Sequence, residues 1–195
     1  MTMQDAPAEH PAGTRFTVYA PQQMQALIDR MADQAMPLLA GRDKTAIVGV
    51  LRRGAPLADR LADALGKRFG LRAAMRVDLK IKRYADDLRL LHPQTDLTET
   101  PGQTEINLDG HTVLLVDDVL YTGHSLLRAV EWLNRKNPAA IHCAVLAHRH
   151  VAQLPVAADV VGVHLQVAPG DVVECHVPPY EAQFKIELLR LDHAL

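Results

Sequence analysis

VLLVDDVLYTGHSLL, residues 113–127, decides how the rest of the chain is read. An apolar run, Val113 to Val116, leads into Asp117-Asp118. A short turn then carries Thr122, Gly123, His124 and Ser125 into helical spacing. The pattern reads as a buried strand over 112–117 that delivers two carboxylates to its exit, followed by a turn at a helix N-terminus. Paired carboxylates accept hydrogen bonds from a diol or hold a hydrated Mg²⁺. Backbone N–H groups at a helix start, with a glycine for the sharp bend, cradle an anion. A phosphorylated ribose satisfies both halves. The GxxxxGK[ST] pattern of a P-loop is missing. For a bare Asp-Asp pair a capped strand–turn–helix would be the better account, but for VLLVDDVLYTG as a whole it carries little weight.

Outward from this motif, apolar spacing sets out the remaining elements. RFTVYA reads as a strand, and residues 22–39 as an amphipathic helix that Pro37 should end or kink. TAIVGVL (45–51) is a buried strand ending in Arg52-Arg53-Gly54. A helix follows with Leu57, Ala58, Leu61, Ala62, Leu65 and Phe69 on one face. Residues 71–81 form another strand. Residues 82–110 lack sustained periodicity, and a loop that long in a compact domain is usually functional. The motif's own helix should bury Leu126, Ala129, Val130 and Leu133. AAIHCAVLAH (139–148), DVVGVHL, DVVECHV and FKIELLRL are further strands. Strands alternating with helices imply an α/β fold, a mostly parallel sheet with helices on both faces. The termini break that rhythm and should form a small antiparallel cap, from the N-terminal segment and about 148–195. Ligands in such sheets sit at the carboxyl ends of the strands. Arg52-Arg53-Gly54, the 82–110 loop and Asp117 to Ser125 all fall there.

The chain has 195 residues, 48% hydrophobic, with a formal net charge of -2. That fits a disordered tail over 1–14 and one domain over 15–195. The charge balance gives no support for broad nucleic-acid binding. No apolar stretch approaches a membrane span, and the N-terminus has no basic n-region or apolar h-region, so a cytoplasmic protein with reduced Cys143 and Cys175 is expected. His142, Cys143, His148, His150, His164, Cys175 and His176 show no CxxC, HExxH or finger spacing; the histidines read as surface or cap residues rather than a metal cluster, and Cys143, in an apolar strand, reads as core.

VLLVDDVLYTGHS resembles the PRPP-binding signature of the type I phosphoribosyltransferases. It is most similar to the PyrR-type uracil phosphoribosyltransferase and pyrimidine-operon attenuator family, whose members carry VDDVLYTG almost letter for letter. IVGVLRRGAPLADRLA, VDLKIKRYADDL and AVLAHRHVAQLPVAADVVG resemble that family's pyrophosphate loop, flexible-loop base and base-side strand. Together they cover most of residues 20–165. The resemblance implies that Asp117 and Asp118 bind the ribose hydroxyls of PRPP and, through water and PRPP, Mg²⁺. It implies that Tyr121, Thr122, Gly123, His124 and Ser125 hold the 5′-phosphate, and Arg52, Arg53 and Gly54 the pyrophosphate. Arg83 would act from the lid over 82–110, with Ala85 in the place of the family's arginine. Val119, His148, Arg149 and Val160 would border the base. Uracil, giving UMP and pyrophosphate, is the implied acceptor, and a homodimer or higher homo-oligomer the implied assembly.

The alternatives are a purine enzyme of the same class and a regulator from another. Hypoxanthine-type enzymes place an aspartate where this chain has Tyr121, and a phenol is no carboxylate base at neutral pH. That leans away from a purine enzyme. An RNA-binding or nucleotide-sensing regulator is the other. Its His-Arg pair is replaced here by Val151-Ala152, and the first helix carries Asp29 and Asp33, which phosphates repel. RNA binding is therefore expected to be lost. Val160 replaces the family's aromatic, and the segment after Gly162 does not follow the family's pattern.

Overall fold

The structure, a computed structural model, describes residues 13–71, 74–80, 105–151, 153–168 and 170–191. Five strands form a parallel sheet in the order β3-β2-β4-β5-β6: β2 (Thr45–Val50), β3 (Met75–Leu79), β4 (Thr112–Leu120), β5 (Ala140–His148) and β6 (Val160–His164). β4 lies at the centre because it can be buried on both faces. The strand period of two sends Leu114 and Val116 to the side of helices α1 (Pro21–Leu39) and α2 (Gly54–Phe69). Val113 and Leu115 go to the side of α3 (His124–Asn134). All four are fully buried, and each such side chain contributes about 1.5–3 kcal/mol.

Three further strands, β1 (Gly13–Tyr19), β7 (Val172–His176) and β8 (Lys185–Leu191), form an antiparallel sheet in the order β1-β8-β7. Val173, Cys175, Val177 and Ile186 join the α1/α2 core. The chain's two ends thus build a hood seated on the carboxyl side of the parallel sheet, where Cys175 Sγ lies 3.8 Å from the carbonyl oxygen of Asp118.

Several expectations are revised. β4 does not stop at Asp117 but runs to Leu120, because Val119 and Leu120 pair with Ala147 and His148 of β5. α1 continues through Pro37 to Leu39, with the Ala40 amide closing on Met36. A proline in the last turn forfeits only one ladder bond. β3 is shorter than 71–81. Phe69, expected on the buried face of α2, is 41% exposed. In α3 Trp132 is fully buried beside Ala129 and Leu133, while Val130 is only partly covered. Residues 81–104 lie outside the described part. At the end of the expected lid, Leu108 is fully buried and Ile106 packs partly covered against the same core.

Candidate active site

Asp117 and Asp118 are 3% and 5% exposed, two carboxylates held at the carboxyl end of the central strand. The Asp118 amide donates to Asp117 Oδ1 at 2.9 Å, which fixes the first side chain against its own backbone. Two helix N-termini flank the pair. α3 follows β4 through residues 121–123, with Gly123 at φ 91° as its N-cap. α2 begins at Gly54, whose α-carbon nearly touches β4. A Cβ there would stand 2.5 Å from the Val116 carbonyl oxygen and 3.1 Å from Asp117 Cα.

Neither helix start is capped by a side chain, and neither has an acidic residue in its first turn. α1 likewise has no capping side-chain hydrogen bond and no acid in its first turn; there the Ala20 amide donates to Gln23 Oε1 at 2.9 Å. Uncapped N-termini leave positive partial charge and N–H groups for an anion. Such an arrangement can offer two anion cradles with a buried diol acceptor between them. Gly54 serves first by letting α2 approach β4; sequence alone assigns it only to an approach by pyrophosphate.

Most of the expected residues converge. Tyr121, Thr122, His124 and Ser125 are half-buried at the α3 start, with His124 Nδ1 3.1 Å from Thr122 Oγ1. The Thr122 carbonyl accepts from the Gln153 amide, and the Leu120 carbonyl from the Arg149 amide. Arg149 and Gln153 thus tie their part of the chain to the turn that leads into α3. Arg149, 4% exposed, stacks its guanidinium 4.3 Å from the Tyr121 ring centroid. His148 ends β5 beside Leu120. Val119 is half-buried against the α1/α2 core. Val160 does not belong with them. It is fully buried opposite Ala144, at the start of β6 under α1, too deep to border a base. Arg83 lies outside the described residues. A depression of about 300 Å³ bounded by Arg42, Lys44 and Thr112 sits at the opposite, amino end of the sheet and touches none of these groups.

A model of the phosphoribosyl transferase domain matches residues 17–183. A bifunctional protein PyrR from Deinococcus radiodurans is 35% identical over 175 residues, covering 89% of this chain and 94% of that protein. The chain belongs to the PyrR-like type I phosphoribosyltransferases. A bifunctional protein PyrR from Clostridium acetobutylicum is 31% identical over 170 residues, covering 86% and 93%. Among solved structures, the hypoxanthine phosphoribosyltransferase of Trypanosoma cruzi has the same fold: TM-score 0.67 at 19% identity, covering 90% of this chain and 97% of that one.

In this phosphoribosyltransferase the hood supplies residues beside the candidate site that sequence reading misses. Glu181 Oε1 accepts from Arg53 Nε at 2.9 Å and from its NH2 at 2.6 Å, while Glu181 Oε2 accepts from the Val177 amide at 2.7 Å. Arg53 NH1 also stands 3.9 Å from Asp118 Oδ2. Burial works against the Arg53 charge, but the Glu181 hydrogen bond and the charges of Asp118 and Glu181 outweigh it and hold its pKa above the ordinary value. Next to it, the Arg52 guanidinium lies 5.4 Å from the Tyr180 ring. The Tyr180-Glu181 pair thus anchors the Arg52-Arg53 loop. Its only signal in sequence is an acid beside an aromatic after two prolines. Neither thiol is a nucleophile: burial pushes Cys143 up to about 12 and drives Cys175 well above its usual range, with Asp118 adding to it.

The hood also carries an acid-sensitive network. His176 Nε2 lies 3.0 Å from Glu187 Oε2, and Glu187 Oε1 accepts from Lys185 Nζ at 2.7 Å and Thr17 Oγ1 at 3.3 Å, with Arg15 paired to Glu174 alongside. Burial holds His176 below the ordinary imidazole value of 6.5, against the pull of Glu187 and with the help of Lys185. Burial would raise Glu187, but Lys185 and His176 bring it below 4.5. Both signs agree. Below 6.5 the unfolded chain takes up the His176 proton first, and further down it takes up that of Glu187, so stability falls with pH. Melting temperature is expected to hold between pH 8 and 7 and to decline from pH 6.5 downward. His176→Gln should flatten the upper part of that decline. Equal slopes in both proteins would exclude His176 as its source.

Proposed function

We propose that this phosphoribosyltransferase transfers the 5-phosphoribosyl group of PRPP to uracil, releasing UMP and pyrophosphate. The observation that carries the reading is the pair of uncapped helix N-termini on either side of Asp117-Asp118. PRPP has an anion at each end of a diol-bearing ring, which matches that layout. In this reading the α3 turn, Tyr121 to Ser125, takes the 5′-phosphate. Asp117 and Asp118 accept hydrogen bonds from the ribose hydroxyls. Arg52, Arg53 and the α2 start take the pyrophosphate, and Arg53 is already oriented by Glu181. Displacement at C1 leaves negative charge on the departing group, and arginines preset at that point stabilise it. The hard oxygen donors of Asp117 and Asp118 also fit Mg²⁺, which would neutralise charge on the pyrophosphate. A lid from the expected 82–110 segment, ending short of the buried Leu108, would exclude water.

Tyr121 and the resemblance to uracil enzymes support a pyrimidine acceptor. α1 supports the loss of RNA regulation: its single cation, Arg30, donates to the Gly162 carbonyl, and Asp33 pairs with Arg68 at 2.6 Å. A homodimer in the cytoplasm completes the reading. The test is pyrophosphate release from PRPP and Mg²⁺ with each common base. Release with uracil alone supports the proposal, release with hypoxanthine or guanine moves it to a purine enzyme, and no release with any base sinks it. A low-salt RNA titration should show no tight, sequence-specific binding.

A further inference from the structure

The fold brings together three histidines that lie scattered in the sequence. His148 and His164 end adjacent parallel strands and stand directly opposite in register. The Leu165 amide donates to the His148 carbonyl at 2.9 Å, so the two strand ends are fixed to each other. His150 follows two residues after His148 and takes φ 39°, a left-handed conformation uncommon outside glycine. The result is a stack. His148 and His150 have ring centroids 4.1 Å apart, His150 and His164 5.0 Å, and His148 and His164 5.6 Å. His150 Nε2 and His164 Nδ1 face each other at 2.9 Å. One ring nitrogen from each of the three lies within 4.8 Å of the others.

We propose that His148, His150 and His164 form a three-imidazole site for a borderline divalent transition metal of the Zn²⁺ or Co²⁺ class. Ligand chemistry carries the choice. Imidazole suits Zn, Co, Ni and Cu, whereas Mg²⁺ selects oxygen, and this group contains no carboxylate. Bonds of about 2.0–2.1 Å in a tetrahedral site place ligand nitrogens roughly 3.3 Å apart. The 2.9 Å pair would have to open by a few tenths of an ångström, with both rings turned so that their lone pairs converge on one point, and His148, with a ring nitrogen within 4.8 Å of both, would have to turn toward the same point. Three protein ligands leave a fourth position open to water or a small ligand. The site is distinct from Asp117-Asp118. It would brace residues 148–150, from which Arg149 reaches Tyr121 and the phosphate turn. The inference does not depend on which base is the acceptor.

The test is titration of the untagged full-length protein with Co²⁺ alone, read by the visible absorption of the bound ion, and then displacement by Zn²⁺. One Co²⁺ per chain is expected, with the strong bands of low coordination number, displaced by Zn²⁺ and untouched by excess Mg²⁺. Loss of an outer hydrogen bond to a metal-bound histidine already costs about 10–100-fold in affinity. His150→Ala and His164→Ala, both at exposed positions, should each therefore weaken binding by roughly 100-fold or more. His176→Ala, in the hood, should change nothing. Equal Co²⁺ affinity in wild type and the His150→Ala His164→Ala double variant would overturn the proposal. So would loss of binding in His176→Ala alone, or octahedral spectra in all variants.

Discussion

Asp117→Asn together with Asp118→Asn is expected to lower kcat/KM for PRPP by about 10³-fold or more, while the protein melts no lower than wild type. The two halves of that result have one cause. Both carboxylates are nearly buried and adjacent on one strand. In a low-dielectric site, neighbouring like charges repel and lose hydration. Glu181, rather than Asp118, holds Arg53 at hydrogen-bond distance, so the main ion pair survives the double substitution. The asparagine introduced at position 117 keeps a side-chain oxygen that can accept from the backbone N–H of residue 118, which preserves the local geometry. Function responds in the opposite sense. An amide retains one acceptor but loses the formal charge that strengthens bonds to ribose hydroxyls and faces the positive charge developing on the ring as pyrophosphate leaves. Each preorganised polar group of this kind is worth about 10²–10³ in rate. Isothermal titration with PRPP, steady-state kinetics and thermal melts on one preparation check it. Unchanged PRPP affinity in the variant would remove these carboxylates from the site.

How much of this is legible in sequence follows from where each contact lies along the chain. The strand, the carboxylate pair and the phosphate turn are contiguous, and their chemistry can be read directly from 113–127. The strand's true end cannot, because Val119 and Leu120 are held by pairing to β5. Trp132 escapes notice because helical spacing alone allows either Val130 or Trp132 to face the sheet; contact with β4 and β5 decides it. Glu181 lies 128 residues from the arginine it holds, and no local pattern encodes such a contact. The histidines mislead in the other direction. Without motif spacing they read as unrelated, yet strand register places His164 beside His148. Val160 is drawn to the base only by its match to an aromatic in relatives; its position at the buried start of β6 shows that depth, which no local pattern reports, decides its role.

Two glycines in α2 should respond to alanine with opposite signs. At Gly54 the added methyl would meet the Val116 carbonyl oxygen at 2.5 Å and Asp117 Cα at 3.1 Å. Both are backbone atoms of the central strand and have no rotamer by which to move aside, so the start of α2 must retreat. Overpacking of that kind costs about 1–3 kcal/mol, and roughly 2–4 °C of melting temperature is lost per kcal/mol in a chain of this size. The retreat would carry Arg53 away from Asp118 and the α2 N-terminus away from the pyrophosphate position. A displacement near 1 Å is enough for about a 10²-fold loss in rate. At Gly66, by contrast, the methyl meets only the Leu71 carbonyl oxygen at 3.5 Å, an ordinary contact. Gly66 sits within the helix, where alanine is favoured over glycine by about 0.5–1 kcal/mol. Gly66→Ala is therefore expected to melt slightly higher with unchanged kinetics. The comparison separates contact from propensity: if Gly54→Ala matched Gly66→Ala in stability and PRPP turnover, the close approach of α2 to β4 would not be what aligns the two anion cradles.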